Sequence, residues 1–397
     1  MKDFNQLKTL CQQQSSISIP VIDEFLIYYA AQRDKVDREF DNRIQRYKAV
    51  QKEMPASWAR MIKSQYIAHR IFKKDGLIKK YLNHAAIKNL EPEQQNFLVQ
   101  QSGWPWRFSF SNIVAHPSPD FYEMEDVFTG ERFLLYSPAV TRTLEDRPVN
   151  LWFSLIAFNG ECWQTFGPIN GYQSFDEDDI YFFATELNHS IESEDDLLND
   201  VEENPIPYMT LAYGSDFPII MSEGIEVVQI ASEVAAVDFN MQELKKLFKI
   251  EYMEGVFKLT HDQWSGSPHF AAAYYEEDNS NILLTALTDK GYHQMANLLN
   301  QSGYSIPLSP DIRIHPSLLT TMKRILKREI EIDPYSYMFN VNLSPEDAIM
   351  IEKLNAFMQL AMPFINDGIQ PDIEALAKQA DLEVDIAREL LQKLASR

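Results

Sequence analysis

The string THDQWSGSPHF, residues 260–270, holds the residue types best suited to chemistry in this chain. His261, Asp262 and His269 offer imidazole and carboxylate ligands for a divalent ion, and Glu276, Glu277 and Asp278 follow closely. A metal-dependent hydrolase centred on His261, Asp262 and His269 is therefore one reading. The spacing does not strengthen it. No HExxH run places two histidines and a general base on one helical face, and no other specific zinc spacing occurs. On the plainer reading, His261 and Asp262 are loop residues before a Gly-Ser turn. His84, His116, His189, His293 and His315 are scattered along the chain.

Motifs for nucleophilic or phosphate chemistry are missing. There is no GxSxG elbow, no Walker A loop and no GxGxxG after a strand. With 13 glycines in 397 residues, a Gly-rich phosphate cradle has little material. The only cysteines are Cys11 and Cys162, too few for a disulfide framework or a cysteine zinc site. Cys162 lies in an apolar, strand-like run beside Trp163, which predicts a buried, inert thiol. Choosing an acid–base pair among 58 carboxylates would be arbitrary. No catalytic residue, metal or cofactor is assigned.

Charge supplies the sharper signal. The formal net charge is −22, yet residues 1–90 carry 17 Lys+Arg against 9 Asp+Glu. The rest of the chain carries 19 against 49. A chain polarised in this way can bind an external anion, or itself. The candidate binding set is Arg60, Lys63, Arg70, Lys73, Lys74, Lys79 and Lys80, able to meet phosphates along a nucleic-acid backbone. A solvated helix face is the simpler account of the same residues. Opposite them in sign, residues 176–203 hold 12 carboxylates and no Lys or Arg. The expectation is that the basic N-terminal helices face this acidic segment.

The elements that must position these residues read as follows. After Pro20, apolar positions recur at helical spacing, and the run to Glu53 contains no Gly or Pro. Pro55 breaks it, and Ser57 is the expected cap of a helix beginning near Trp58. Trp58, Met61, Ile62, Ala68, His69 and Phe72 share one side of it, with Arg60, Lys63, Arg70 and Lys74 on the other. Gly76 ends the turn. YEMEDVFTGERFLLYSP predicts two strands about Thr-Gly, and NLWFSLIAFNGECWQTFGP predicts a hairpin about Asn-Gly. From Pro205 the chain reads as strand-rich. Asn240 and Glu243 form a capping box, HFAAAYYEEDNSNILLTAL a hairpin, and Thr288 caps the helix after it. KRILKRE, residues 323–329, reads as a solvated face. Ser344 is the expected N-cap of a helix starting at Pro345. After Gly368, two short helices flank Asp381-Leu382 like a helix-turn-helix pair. Glu383, Asp385 and Glu389 against Arg388 and Lys393 make the second of them a poor recognition helix for DNA.

Two stretches, ERFLLYSPAVTRTLEDRPVNLWFSLIAFNGECWQTFGP and HFAAAYYEEDNSNILLTALTDKGYHQMANLL, resemble modules of uncharacterised bacterial proteins that often end in a SEC-C motif, a short Cys-rich zinc-binding tail. The resemblance covers part of the chain and rests on pattern. It implies a bacterial, cytoplasmic protein of unknown function. The Cys cluster is absent here, so no zinc ligand carries over.

The expected class is α+β, as in chains that mix runs of strands and helices. A helical basic region (1–103) precedes a β module with an acidic helical segment (104–204). A mixed α+β module (205–337) and a helical C-terminal region (338–397) follow. The start lacks the apolar stretch of a signal peptide, and no run of about 18 apolar residues occurs. A cytoplasmic, non-enzymatic binding protein is expected, its partner another protein or a second copy, with no membrane. Nucleic-acid binding through the basic helices is the first alternative, the metal-dependent hydrolase the second.

Overall fold

The computed structural model describes residues 3–52, 54–213, 220–235, 240–264, 266, 268–339, 345–366 and 369–395. The protein is α+β, with helical N- and C-terminal regions and several sheets. It divides into two compact units, 1–216 with 314–330, and 217–313 with 331–397. The segment 205–337, read as one module from composition, is therefore shared between the units. The chain leaves the first unit and returns to it at 314–330.

In the first unit, helix α1 (Phe4–Ser18) is capped by Asp3, whose carboxylate accepts from the N–H groups of Asn5 and Gln6. It runs into a π-helical stretch, Ile19–Leu26. The wider turns begin where Pro20 removes a donor from the backbone ladder. The Gly- and Pro-free run up to Glu53 predicts one helix, but Lys35 turns left-handed at φ 56° and a new helix starts at Val36. Tertiary bonds override local propensity here, because Asp34 is held by Lys80 at 2.5 Å and by Tyr81 at 2.6 Å. Helix α2 (Ala56–Phe72) carries Arg60, Lys63 and Arg70, while Lys73 and Lys74 follow its end and Lys79 and Lys80 lie on a separate short helix, Ile78–Tyr81. Its N-cap position is Pro55, with no side-chain cap, so Ser57 falls inside the first turn instead of capping it. Gly76 permits the tight turn after it, since a Cβ there would sit 2.5 Å from the Ile71 carbonyl oxygen.

Five strands follow: β1 (Arg107–Ser118), β2 (Phe121–Asp126), β3 (Arg132–Tyr136), β4 (Leu151–Phe158) and β5 (Trp163–Tyr172). They close into a barrel in the order β1-β2-β3-β5-β4. Both expected hairpins form, with Gly130 and Gly160 at positive φ in their turns. The barrel closes where β3 and β5 run parallel, pairing Leu135 with Trp163 and Tyr136 with Gln164. Apart from Ser154, LWFSLIAF is apolar, and residues on both faces of β4 are buried. Trp152 and Ile156 join Tyr122, Met124 and Leu135 in one cluster. Alternate residues of a strand point oppositely, and Phe153 on the other face stacks with Phe108 and Phe110.

The acidic stretch forms two helices, α3 (Glu177–Leu187) and α4 (Glu194–Glu203). Six of its carboxylates, Glu177–Asp179 and Glu194–Asp196, stand in the two first turns, where the helix dipole favours negative charge. Two helix starts in succession explain much of the acidity. Pro205–Tyr213 is helix α5 rather than a strand. Its run PIPYMTLAY is buried throughout residues 205–212, and such a short apolar run lacks the periodicity that separates helix from strand.

In the second unit, six strands order as β11-β6-β10-β9-β8-β7. These are β6 (Gln229–Ala235), β7 (Lys249–Met253), β8 (Val256–Thr260), β9 (Ala271–Glu276), β10 (Asn281–Ala286) and β11 (Ile312–Ile314). Helix α6 (Asp289–Gln301), capped by Thr288 as expected, contributes Tyr292, Met295, Ala296 and Leu299 to one core with Leu259, Ala273 and Leu284. Helix α7 (Pro316–Leu326) belongs to the first unit, and Lys323, Lys327 and Arg328 on its KRILKRE run are exposed. The C-terminal helices α8 (Pro345–Asn366), α9 (Ile373–Gln379) and α10 (Val384–Ala395) share a cluster about Phe357, Leu376 and Ala387. Asp381, at φ 52°, makes the turn between the last two. The expected cap Ser344 and the break at Gly368 lie outside the described residues. Among the described residues no helix is long and apolar enough to cross a membrane.

Candidate functional site

The fold disperses the basic set. Lys63 bonds Asp41 at 2.9 Å, and Arg70 approaches Glu39 at 3.6 Å. Lys79 lies 3.7 Å from Asp75, and Lys80 bonds Asp34 at 2.5 Å. Lys73 is 9% exposed and bonds Glu203 at 2.5 Å, so it has left the surface that the basic-face reading gave it. Lys74 is exposed, and Arg60 and Lys74 have no ion-pair partner among the described residues. Of these two, Arg60 lines a concavity.

The expected meeting of basic helix and acidic segment occurs at one end only. His69, fully buried, faces Glu202 with Nε2 2.6 Å from Oε2. The other Glu202 oxygen accepts from the N–H of Phe108 at 2.9 Å, and Lys73 also donates to the Glu202 carbonyl at 3.2 Å. Arg43 donates to the Glu203 carbonyl. These bonds seat the end of α4 against α2 and β1. Arg60, Lys63 and Arg70 take no part.

The concavity is built from three segments remote in sequence. One wall is the end of α1 and the π-helical stretch, with Ser15, Ser18, Ile19 and Asp23. The second is the first half of α2, presenting Ser57, Arg60, Met61 and Ser64. Their spacing, i, i+3, i+4 and i+7, is one helical stripe. The floor is the start of β5, Thr165–Gly167. The volume is about 580 Å³, and an adjoining section of about 420 Å³ shares Ser15, Ile19 and Thr165 and extends to Tyr136 and Pro138.

The floor is fixed by a buried amide. Gln65 Nε2 donates to the carbonyls of Phe166 and Pro168, each at 2.9 Å. Gly167 between them has φ +74°, and a Cβ there would lie 3.1 Å from the Gln65 side chain, so only glycine fits. Ser15 is spent internally, donating to the Cys11 carbonyl and accepting from Gln164. Ser57 and Ser64, flanking Arg60, make no side-chain hydrogen bond among the described residues. Ile19 is 51% exposed and Met61 44%, so apolar surface borders the charges in open view. The furrow thus combines one guanidinium, one carboxylate (Asp23), two available hydroxyls and an apolar rim.

The histidine string does not assemble. His261 stacks on Trp264 at 4.4 Å, and its Nδ1 accepts from the N–H of Gln263. His269 Nδ1 lies 3.0 Å from Thr288 Oγ1, beside the cap of α6. Among the described residues no three His, Cys, Asp or Glu side chains gather to hold a metal ion. Sequence reasoning missed Asp23, Ser57 and Ser64 as site residues. The stripe on α2 was present as a periodicity, but the surface it would face came from elsewhere in the chain. The chain matches no family model, no curated protein and no solved structure.

Proposed function

We propose that this is a protein-binding module whose furrow takes an extended peptide segment of a partner protein. A partner carboxylate pairs with Arg60, its backbone meets Ser57 and Ser64, and an apolar side chain covers Ile19 and Met61. The observation that carries this reading is Arg60 lining the same furrow as Asp23. A furrow bearing both signs suits a peptide, which offers carboxylates, N–H groups and cations together. It suits a phosphate backbone poorly, because Asp23 and the net charge of −22 repel polyanions. Five of the seven basic side chains first considered for nucleic acid already have acidic partners.

The test is selection of a random peptide library on the full chain, with counter-selection on an Arg60→Glu variant. Peptides sharing an acidic residue next to an apolar one should be enriched. Their affinity should fall about tenfold or more in the variant, as for a charged anchor at the centre of an interface. Peptides that bind both proteins equally would remove the furrow from the account.

A further inference from the structure

The only two cysteines of the chain, 151 positions apart, lie together. Cys11 Sγ on α1 is 3.4 Å from Cys162 Sγ in the β4–β5 turn, and both residues are buried. One amide orients the pair. Asn159 Nδ2 points to Cys11 Sγ at 3.4 Å and to Cys162 Sγ at 3.6 Å. Asn159 Oδ1 accepts from the N–H of Cys162 at 2.9 Å and of Glu161 at 3.0 Å, which fixes the turn. Gln164 reaches from β5 to the Cys11 carbonyl at 3.2 Å and accepts from Asn159 at 3.0 Å. Phe4, Leu7, Phe121 and Tyr136 enclose the sulfurs.

We propose that Cys11 and Cys162 are a disulfide-forming pair that, on two-electron oxidation, fastens the N-terminal helix to the barrel. Disulfide sulfurs stand about 2.05 Å apart, so these must close by roughly 1.4 Å. Besides its packing on the helix Pro92–Gly103, α1 is held near the pair by the apolar cluster, the Gln164 bonds and the Lys8–Asp120 ion pair, in which Lys8 is 40% exposed. A covalent link would therefore change how firmly α1 is seated. With hydrogen peroxide as oxidant, one sulfur attacks a peroxide oxygen, giving a sulfenic acid and water. The second sulfur displaces that hydroxyl, which leaves with the second thiol proton as water. Two electrons and two protons pass from the thiols to peroxide, and two waters form. The Cys11 thiol is held well above the usual thiol range by its hydrogen bond to Cys162 and by burial. Oxidation should therefore be slow near neutrality and faster as pH rises, since the thiolate is the nucleophile. The pair stands whatever occupies the furrow.

The experiment uses the full chain, reduced, desalted and exposed to hydrogen peroxide. The expected result is a mass loss of two hydrogens and one intramolecular peptide pair joining Cys11 to Cys162, reversed by dithiothreitol. Amide exchange across α1 should slow about tenfold or more in the oxidised form, since opening there would need the link to break or stretch. Cys11→Ser and Cys162→Ser variants should each lose the link, and the wild-type result decides the matter if either fails to fold. Two thiols still titratable after oxidation, sulfinic acid or intermolecular disulfide as the main product, or a link that leaves α1 exchange unchanged would each overturn the proposal.

Discussion

The two units manage exposed surface in opposite ways. In the first, the sheet closes on itself, both faces of β4 are covered, and most basic side chains of the α2 region have acidic partners. What stays open among the described residues is the exposed Lys74 and a furrow with one unpaired guanidinium. In the second, the sheet is open and ends at β7, where Tyr252 is 58% exposed. Its C-terminal helix α8 shows Ile349, Ile351, Phe364 and Ile365 to solvent. A closed barrel has no unpaired strand edge to protect, whereas an open sheet keeps one. Exposed apolar side chains can associate with many surfaces, while a furrow bearing fixed charges discriminates. On the proposed function, selectivity would reside in the first unit, although the second exposes more large apolar side chains.

Predictions that break or sharpen this contrast fall in order of size. Trp152→Ala empties the centre of the barrel and should cost about 3–5 kcal/mol. Chemical denaturation checks it, with exchange rising in residues 107–172. Glu202→Gln removes the carboxylate that His69 and the N–H of Phe108 share, leaving a buried imidazole poorly met. A loss of about 1–3 kcal/mol is expected in the same denaturation measurement. If it costs nothing, the seat of α4 on α2 is not the joint described.

The third effect is one of pH. Burial first, and then the charge of Asp176, push the Asp179 carboxyl up to about 8. Between the ordinary carboxylate range and about pH 8 the folded chain holds this proton and the unfolded chain does not. Stability should therefore fall as pH rises through that window, by at most about 1.4 kcal/mol per unit for one proton. Asp179→Asn, followed by urea unfolding across pH 5–9, should flatten that slope; an unchanged slope would assign it to other groups. The smallest effect is Arg60→Glu, which should alter stability by no more than about 0.5 kcal/mol, because no internal partner is lost. A larger change would mean that Arg60 is structural, and the contrast between paired and open charge would fail.

Much of the fold was legible, because its signals are local. The Thr-Gly and Asn-Gly turns gave both barrel hairpins, and Asn240 and Thr288 cap the helices assigned to them. Barrel closure was not legible, since β3 and β5 pair over only two residues and no local signal marks a parallel contact. The break at Lys35 depends on Asp34 meeting residues 80 and 81. For the site, composition singled out seven basic residues, yet which of them keeps its charge open is a tertiary matter. Arg60 stands in the first half of α2 and Lys73 caps its end, one left free by the fold and the other closed by Glu203. The cysteines carried one usable hint, that there are only two, but nothing local placed residue 11 beside residue 162.

The most direct test of the central claim is a hydrogen-exchange footprint of the full chain with and without a saturating peptide from the library selection. Slowed exchange confined to residues 12–19, 57–64 and 164–167 is the predicted result. Protection across residues 349–366 with the furrow unchanged would place recognition on helix α8 of the second unit and contradict the assignment of selectivity to the first.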